Sequence, residues 1–163
     1  MKITFQGNPL TLNGTQLKLG DTFKDFSVAK NDLSPLTLAD TKGIRIFLTV
    51  PSLDTPVCDM EIREFNKRAT ELPDVSIYTI SMDLPFAQAR WCGAAGVSAV
   101  TSASDYKDKA FAAATGTMIK ELGLLTRAAF VVDATGKVTY AEYLGEITEQ
   151  PNYDAILAAA KNA

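Results

Sequence analysis

The chain has 163 residues, 47% of them hydrophobic and 21% charged, with a formal net charge of −3 at neutral pH. That is enough apolar side chain for one buried core, so a single domain over residues 1–163 is expected. The acidic balance argues against a nucleic-acid partner, and no apolar run reaches the roughly 18 residues that a membrane span requires.

The amino terminus, MKITFQGNPLTLNG, has no apolar core segment and no small-residue cleavage pattern, so a cytoplasmic location is expected. Ile3, Phe5, Leu10 and Leu12 alternate with polar residues around Gly7-Asn8-Pro9, the pattern of a β-hairpin. GIRIFLTV, 43–50, is a β-branched apolar run long enough for a buried strand. Cys58, Ile62, Phe65, Ala69 and Leu72 then recur at steps of four and three, one stripe of an amphipathic helix. VSIYTISM, 75–82, is a second strand, and PFAQARWCGAAG, 85–96, a short helix closed by Gly93 or Gly96. DKAFAAATG, 108–116, predicts another helix. AAFVVD, 128–133, and KVTYAEY, 137–143, pair as a hairpin, and NYDAILAAAKNA, 152–163, is a last helix opened by Pro151-Asn152. Strands alternating with helices in this order predict an α/β domain of three layers, a mixed central sheet with flanking helices and an N-terminal hairpin.

Chemistry concentrates in two thiols. The chain has two cysteines and no histidine, and Cys58 and Cys92 are too far apart for a C-x-x-C motif. A zinc site lacks ligands, and no G-x-G-x-x-G or P-loop pattern supports a nucleotide cofactor, so no cofactor or metal is expected. Thr55 is an acceptable helix N-cap, Pro56 suits the first helical position, and Cys58 then falls at N3. From the cap, the Thr55 hydroxyl would accept from the Cys58 amide or, in another rotamer, donate to the sulfur. A helix terminus offers unpaired N–H groups and about half a positive charge, which favours negative charge on that sulfur. Read by itself, however, a cysteine on an apolar stripe is more often core filling. Thr55 is equally a plain cap, and Pro51 a strand terminator.

The whole spacing Pro51-x-x-x-Thr55-x-x-Cys58, directly after a buried strand, resembles the peroxidatic motif of the peroxiredoxins. DLPFAQARWCGAAGV, 83–97, is similar to the segment that carries the resolving cysteine in the bacterial thiol peroxidase subfamily, the atypical two-cysteine peroxiredoxins. The hairpin, GIRIFLTV, LLTRAAFVVD and EITEQPNYDAIL follow the same family in order. The resemblance implies a thioredoxin-like fold and a peroxidase that reduces hydrogen peroxide and alkyl hydroperoxides. It makes Cys58 the peroxidatic and Cys92 the resolving thiol, joined in an intramolecular disulfide that thioredoxin or a similar dithiol reduces. Thr55 would hydrogen-bond the thiolate and the incoming peroxide, and Pro51 would shield the pocket. Arg127, entering an apolar strand, would meet the negative charge. Composition by itself cannot choose Arg127 over Arg45. A homodimer is also implied. The competing reading is a redox-sensing or chaperone-like binding protein switched by the same disulfide.

Overall fold

The computed structural model describes residues 1–163. Strands β1 (Lys2–Phe5) and β2 (Asn8–Thr11) form the expected hairpin. Its turn is Gln6-Gly7, with φ of 49° and 81°. Two successive left-handed residues match the twist of the flanking strands, which places the turn ahead of the Gly7-Asn8-Pro9 expected from sequence. Pro9 instead lies within β2 opposite Thr4.

The main sheet contains β3 (Ser27–Lys30), β4 (Pro35–Thr37), β5 (Ile44–Thr49), β6 (Val75–Ser81) and β7 (Val100–Ser104). After a short pair, β8 (Met118–Ile119) and β9 (Leu124–Leu125), it is completed by β10 (Ala128–Val132) and β11 (Val138–Tyr143). The order across it is β11-β10-β5-β6-β7-β3-β4. The β5-β6 and β6-β7 pairs are parallel and the rest antiparallel. Helices α1 (Pro56–Arg68) and α2 (Pro85–Ala95) are the crossovers between the parallel strands. Helices α3 (Ala110–Thr115) and α4 (Tyr153–Lys161) follow later in the chain.

Strand alternation sorts the core into two layers. Ile46 and Leu48 of β5 with Ala129 and Val131 of β10 face Ile62 and Phe65 of α1 and Ile156 and Leu157 of α4. Phe47, Phe130 and Val132 point the other way, against Phe111 of α3, Phe23 and Phe26. The hairpin β1–β2 adds a small cluster of its own through Ile3, Leu12, Ile119 and Ile147.

Strands β3, β4 and β7 were not expected. β7 reads VTSAS, too polar to signal a buried strand, yet Ser102, Ala103 and Ser104 are all buried. Its serines satisfy their hydroxyls internally, Ser102 with Asn31 and Ser104 with the Asp83 carbonyl. Helix α2 ends at Gly96, whose φ of 68° forms the left-handed C-cap.

Parallel β5 and β6 end at one edge of the sheet, and both crossover helices start there. β10 runs antiparallel to β5 with Ala128 opposite Thr49, so the residue before β10 arrives at that same edge. That residue is Arg127. In open α/β sheets the crevice at the carboxyl ends of the parallel strands is where ligands bind.

Candidate active site

The site is built from the first turn of α1. Pro51 leaves β5 and is buried, and four residues later Thr55 caps the helix with extended backbone. Pro56 takes the first helical position, where its missing N–H costs nothing. Cys58 thus sits at N3, fully buried, with its side chain toward the sheet edge.

Arg127 meets it there. The guanidinium is 2% exposed, and all three of its nitrogens donate. Nη2 reaches Cys58 Sγ at 3.0 Å, Nε reaches the Ile147 carbonyl at 2.9 Å, and Nη1 bonds the Glu61 carboxylate. Burial pulls the guanidinium down, but Glu61 and Cys58 facing it outweigh this and hold Arg127 above the ordinary arginine value. Glu61 is itself fully buried, and its second oxygen, Oε1, has no hydrogen-bond partner. Burial pushes its carboxyl up to about 7, with Arg127 opposing the rise. One cation therefore faces two groups able to carry negative charge, in a dry setting where charge matters most.

Glu61 is the residue that sequence reasoning missed. Position 61 is three residues after Cys58 and four before Phe65, so it lies on the buried face of α1. A carboxylate on an apolar stripe was the available signal, since such a group is almost never buried without a partner. The expected contact of Arg127 with the Cys58 sulfur is present, and the carboxylate that shares the guanidinium comes from α1.

Arg45 is a different arginine in kind. It lies opposite Val132, at the far end of the β5–β10 pair, with Nη1 on the Thr41 carbonyl and hydroxyl at 3.2 Å each and Nη2 on the Asp133 carbonyl at 2.6 Å. It holds main chain and faces no thiol.

The expectation for Thr55 needs correction. Its hydroxyl donates to the Ser52 carbonyl at 2.8 Å and makes no side-chain cap to α1. A four-residue turn, Ser52 to Thr55, closed by the Thr55 amide on the same carbonyl at 3.3 Å, holds the side chain in that rotamer. The turn is fixed in place by Asp83 at the end of β6. One of its oxygens accepts from Ser52 Oγ at 2.7 Å, the other from the Leu53 amide and Ser81 Oγ at 2.8 Å each. Ser81 Oγ in turn accepts from buried Gln88 of α2 at 2.9 Å. The loop before Cys58 and the helix carrying Cys92 thus share one polar network, built from residues that no local pattern connects.

Cys92 is half-buried on α2, with Sγ 3.3 Å from Ser102 Oγ of β7. Both cysteines are free thiols. Pro51, Thr55, Cys58 and Arg127 are gathered at one sheet edge. Cys92 lies on the neighbouring helix, its sulfur turned to β7.

A buried cysteine at a helix start, bonded to an arginine at the edge of a mixed α/β sheet, defines a class of thiol-based oxidoreductase. The Redoxin family model matches residues 18–157. The thiol peroxidase of Clostridium acetobutylicum is 60% identical over all of this chain and 99% of its own length. That of Bacillus subtilis is 53% identical over 98% of this chain and 96% of its own. Among solved structures, a peroxiredoxin-like protein from Aquifex aeolicus superposes with a TM-score of 0.93 at 38% identity, covering 99% of this chain and 96% of that one. The thiol peroxidase from Chromobacterium violaceum, at 20% identity, shares the fold with a TM-score of 0.90 over 99% of this chain and 95% of that one. This chain belongs to the redoxin family, in its thiol peroxidase branch. Its mixed sheet and flanking helices are the thioredoxin-like fold of that family.

Proposed function

We propose that the chain acts over residues 1–163 as one catalytic domain, a thiol-dependent peroxidase whose nucleophile is Cys58. The observation that carries this reading is the 3.0 Å bond from Arg127 to a fully buried Cys58 sulfur. Hydroperoxide enters at the sheet edge. The Cys58 thiolate attacks the terminal oxygen, the O–O bond breaks, and sulfur is oxidised to sulfenic acid. The alkoxide or hydroxide that leaves takes a proton from solvent, giving an alcohol or water. Negative charge passes from sulfur to the leaving oxygen in this step, and Arg127 lies where that charge develops. Thr55, once its hydroxyl turns away from Ser52, would donate to the incoming peroxide. Pro51 would wall the pocket against water.

Cys92 resolves the sulfenate. Its thiolate attacks Cys58 Sγ, the S–O bond breaks, hydroxide leaves and takes a proton from solvent to give water, and a Cys58–Cys92 disulfide forms within the chain. A thioredoxin-like dithiol then reduces it by exchange, two electrons passing to the disulfide and the dithiol becoming oxidised. The reaction needs no bound cofactor. No helix is long and apolar enough to cross a membrane, and we place the enzyme in the cytoplasm, where reducing pools maintain thiols. We expect the chain to assemble as a homodimer.

Trp91 is the only tryptophan and precedes Cys92, so it reports on the disulfide. Reduced protein mixed with cumene hydroperoxide should show a fast Trp91 fluorescence change and lose two thiols per chain. A slow response with both thiols still titratable would reject the peroxidase reading.

A further inference from the structure

Helices α1 and α2 are joined beside the two cysteines by a contact that the chemistry above does not use. Asp59 follows Cys58, and Trp91 precedes Cys92. The Trp91 indole N–H donates to Asp59 Oδ1 at 2.9 Å. Arg63 Nε bonds the other carboxylate oxygen at 2.8 Å. The Arg63 guanidinium also lies 5.8 Å from the centre of the Trp91 ring and reaches the Ala95 carbonyl at 3.4 Å. Three side chains therefore clip the first two turns of α1 to the second half of α2.

Consecutive residues on an α-helix point about 100° apart. With Asp59 directed at α2, Cys58 is directed away, toward Arg127. With Trp91 directed at α1, Cys92 is turned toward Ser102 of β7. A disulfide needs its Cβ atoms about 3.8 Å apart and both Cβ–Sγ vectors converging. The two sulfurs face different partners, so closing the disulfide means turning the helix turns that also carry Asp59 and Trp91.

We infer that Trp91, through its bond to Asp59 and its stacking against Arg63, is a positioning residue that sets the rate of disulfide closure. The inference rests on the assignment of Cys58 and Cys92 as the reacting pair. While the clip holds, the peroxide pocket is intact and the Cys58 sulfenate waits. When it opens, α2 is free to bring Cys92 round. A waiting sulfenate has a competing fate: a second hydroperoxide oxidises it to sulfinic acid and is itself reduced to the alcohol. The clip thereby also sets how much hydroperoxide the enzyme survives.

The test is acid-quenched mass spectrometry of reduced protein mixed with cumene hydroperoxide, comparing wild type with Trp91→Phe, which keeps the ring and loses the donor. Arg63→Met, which keeps the apolar stem, is the second variant. Sulfenate should appear at the wild-type rate in both, which also shows that the site is folded. Disulfide should then close about tenfold faster in Trp91→Phe, the scale of a hydrogen bond to a charged group, and about threefold faster in Arg63→Met, the scale of a partly exposed ion pair. The sulfinate fraction at high hydroperoxide should fall in step. Closure at the wild-type rate, or slower, in both variants would overturn the inference alone. A wild type that forms sulfenate but never a Cys58–Cys92 disulfide would overturn it together with the assignment of the pair.

Discussion

Arg127 donates from each of its three nitrogens to a different group, Cys58 Sγ, the Glu61 carboxylate and the Ile147 carbonyl. Lysine cannot reproduce that fork, because an ammonium is a single point donor. Arg127→Lys should lower the second-order rate with hydroperoxide by about a hundredfold, measured by stopped flow, the scale found when one preorganised donor is lost. Glu61 has a signature of its own in the pH dependence of stability. Its folded carboxyl titrates at about 7 against an ordinary 4.5, raised first by burial. Between those values the native state holds a proton that the unfolded chain has released. Stability from this group is therefore present below about 4.5 and is lost as pH rises through about 7. Denaturant unfolding from pH 4 to 8 should show that decline in wild type and a flatter profile in Glu61→Gln. Parallel profiles would contradict it. At this scale positions 51, 55 and 58 stood out through their resemblance to a family motif, and chain spacing accounts for their placement around one helix start. The partners were not. Glu61 is identified only once its helix face is known to be buried. Thr55 showed itself as a cap residue, but the Ser52 carbonyl that holds its hydroxyl belongs to a turn that no local preference announces.

Among the elements, the apolar runs at β5, β6 and β10 and the stripe of α1 were readable because burial on defined faces imposes period and composition. β7 was not, since its serines are paid for by tertiary partners, Asn31 and the Asp83 carbonyl. The hairpin β1–β2 was visible, but its attachment was not. Glu146 holds it, one oxygen accepting from the Gly7 amide at 2.9 Å and Thr4 Oγ1 at 3.0 Å, the other from the Thr148 amide and hydroxyl. The Gly7 amide first, then Thr148, holds the Glu146 carboxyl down at about 2. Its contribution is present above the unfolded value of 4.5 and is lost as pH falls through about 2. NMR signals of Lys2–Thr11 should shift toward unpaired values over that acid range while β5 and β6 remain native. In Glu146→Gln the loosening should already be visible at neutral pH.

For the molecule as a whole, α1 is fastened on both flanks. On one side the Asp59–Trp91–Arg63 clip ties it to α2. On the other, Phe65 packs on Tyr153 with ring centres 5.1 Å apart, and Arg68 pairs with Asp154 at 2.8 Å, binding it to α4. The sheet beneath is continuous and its central strands are buried. Movement that brings the cysteines together must therefore come from the helix turns that carry them, not from the sheet. Hydrogen exchange should rise at residues 55–60 and 89–96 in the oxidised form, with β5, β6 and β10 unchanged. Equal protection of those helix turns in both redox forms would show that no such opening occurs.

In the proposed reaction Cys58 is oxidised first and Cys92 closes on it. Adding one equivalent of hydroperoxide to the reduced protein and to Cys92→Ser, quenching, and mapping the cysteine peptides by mass distinguishes this order from any other. Wild type should yield a Cys58–Cys92 linked peptide, and Cys92→Ser a Cys58 sulfenic acid trapped by dimedone. Oxidation first at Cys92, or a Cys58 left as free thiol while hydroperoxide persists, would contradict it.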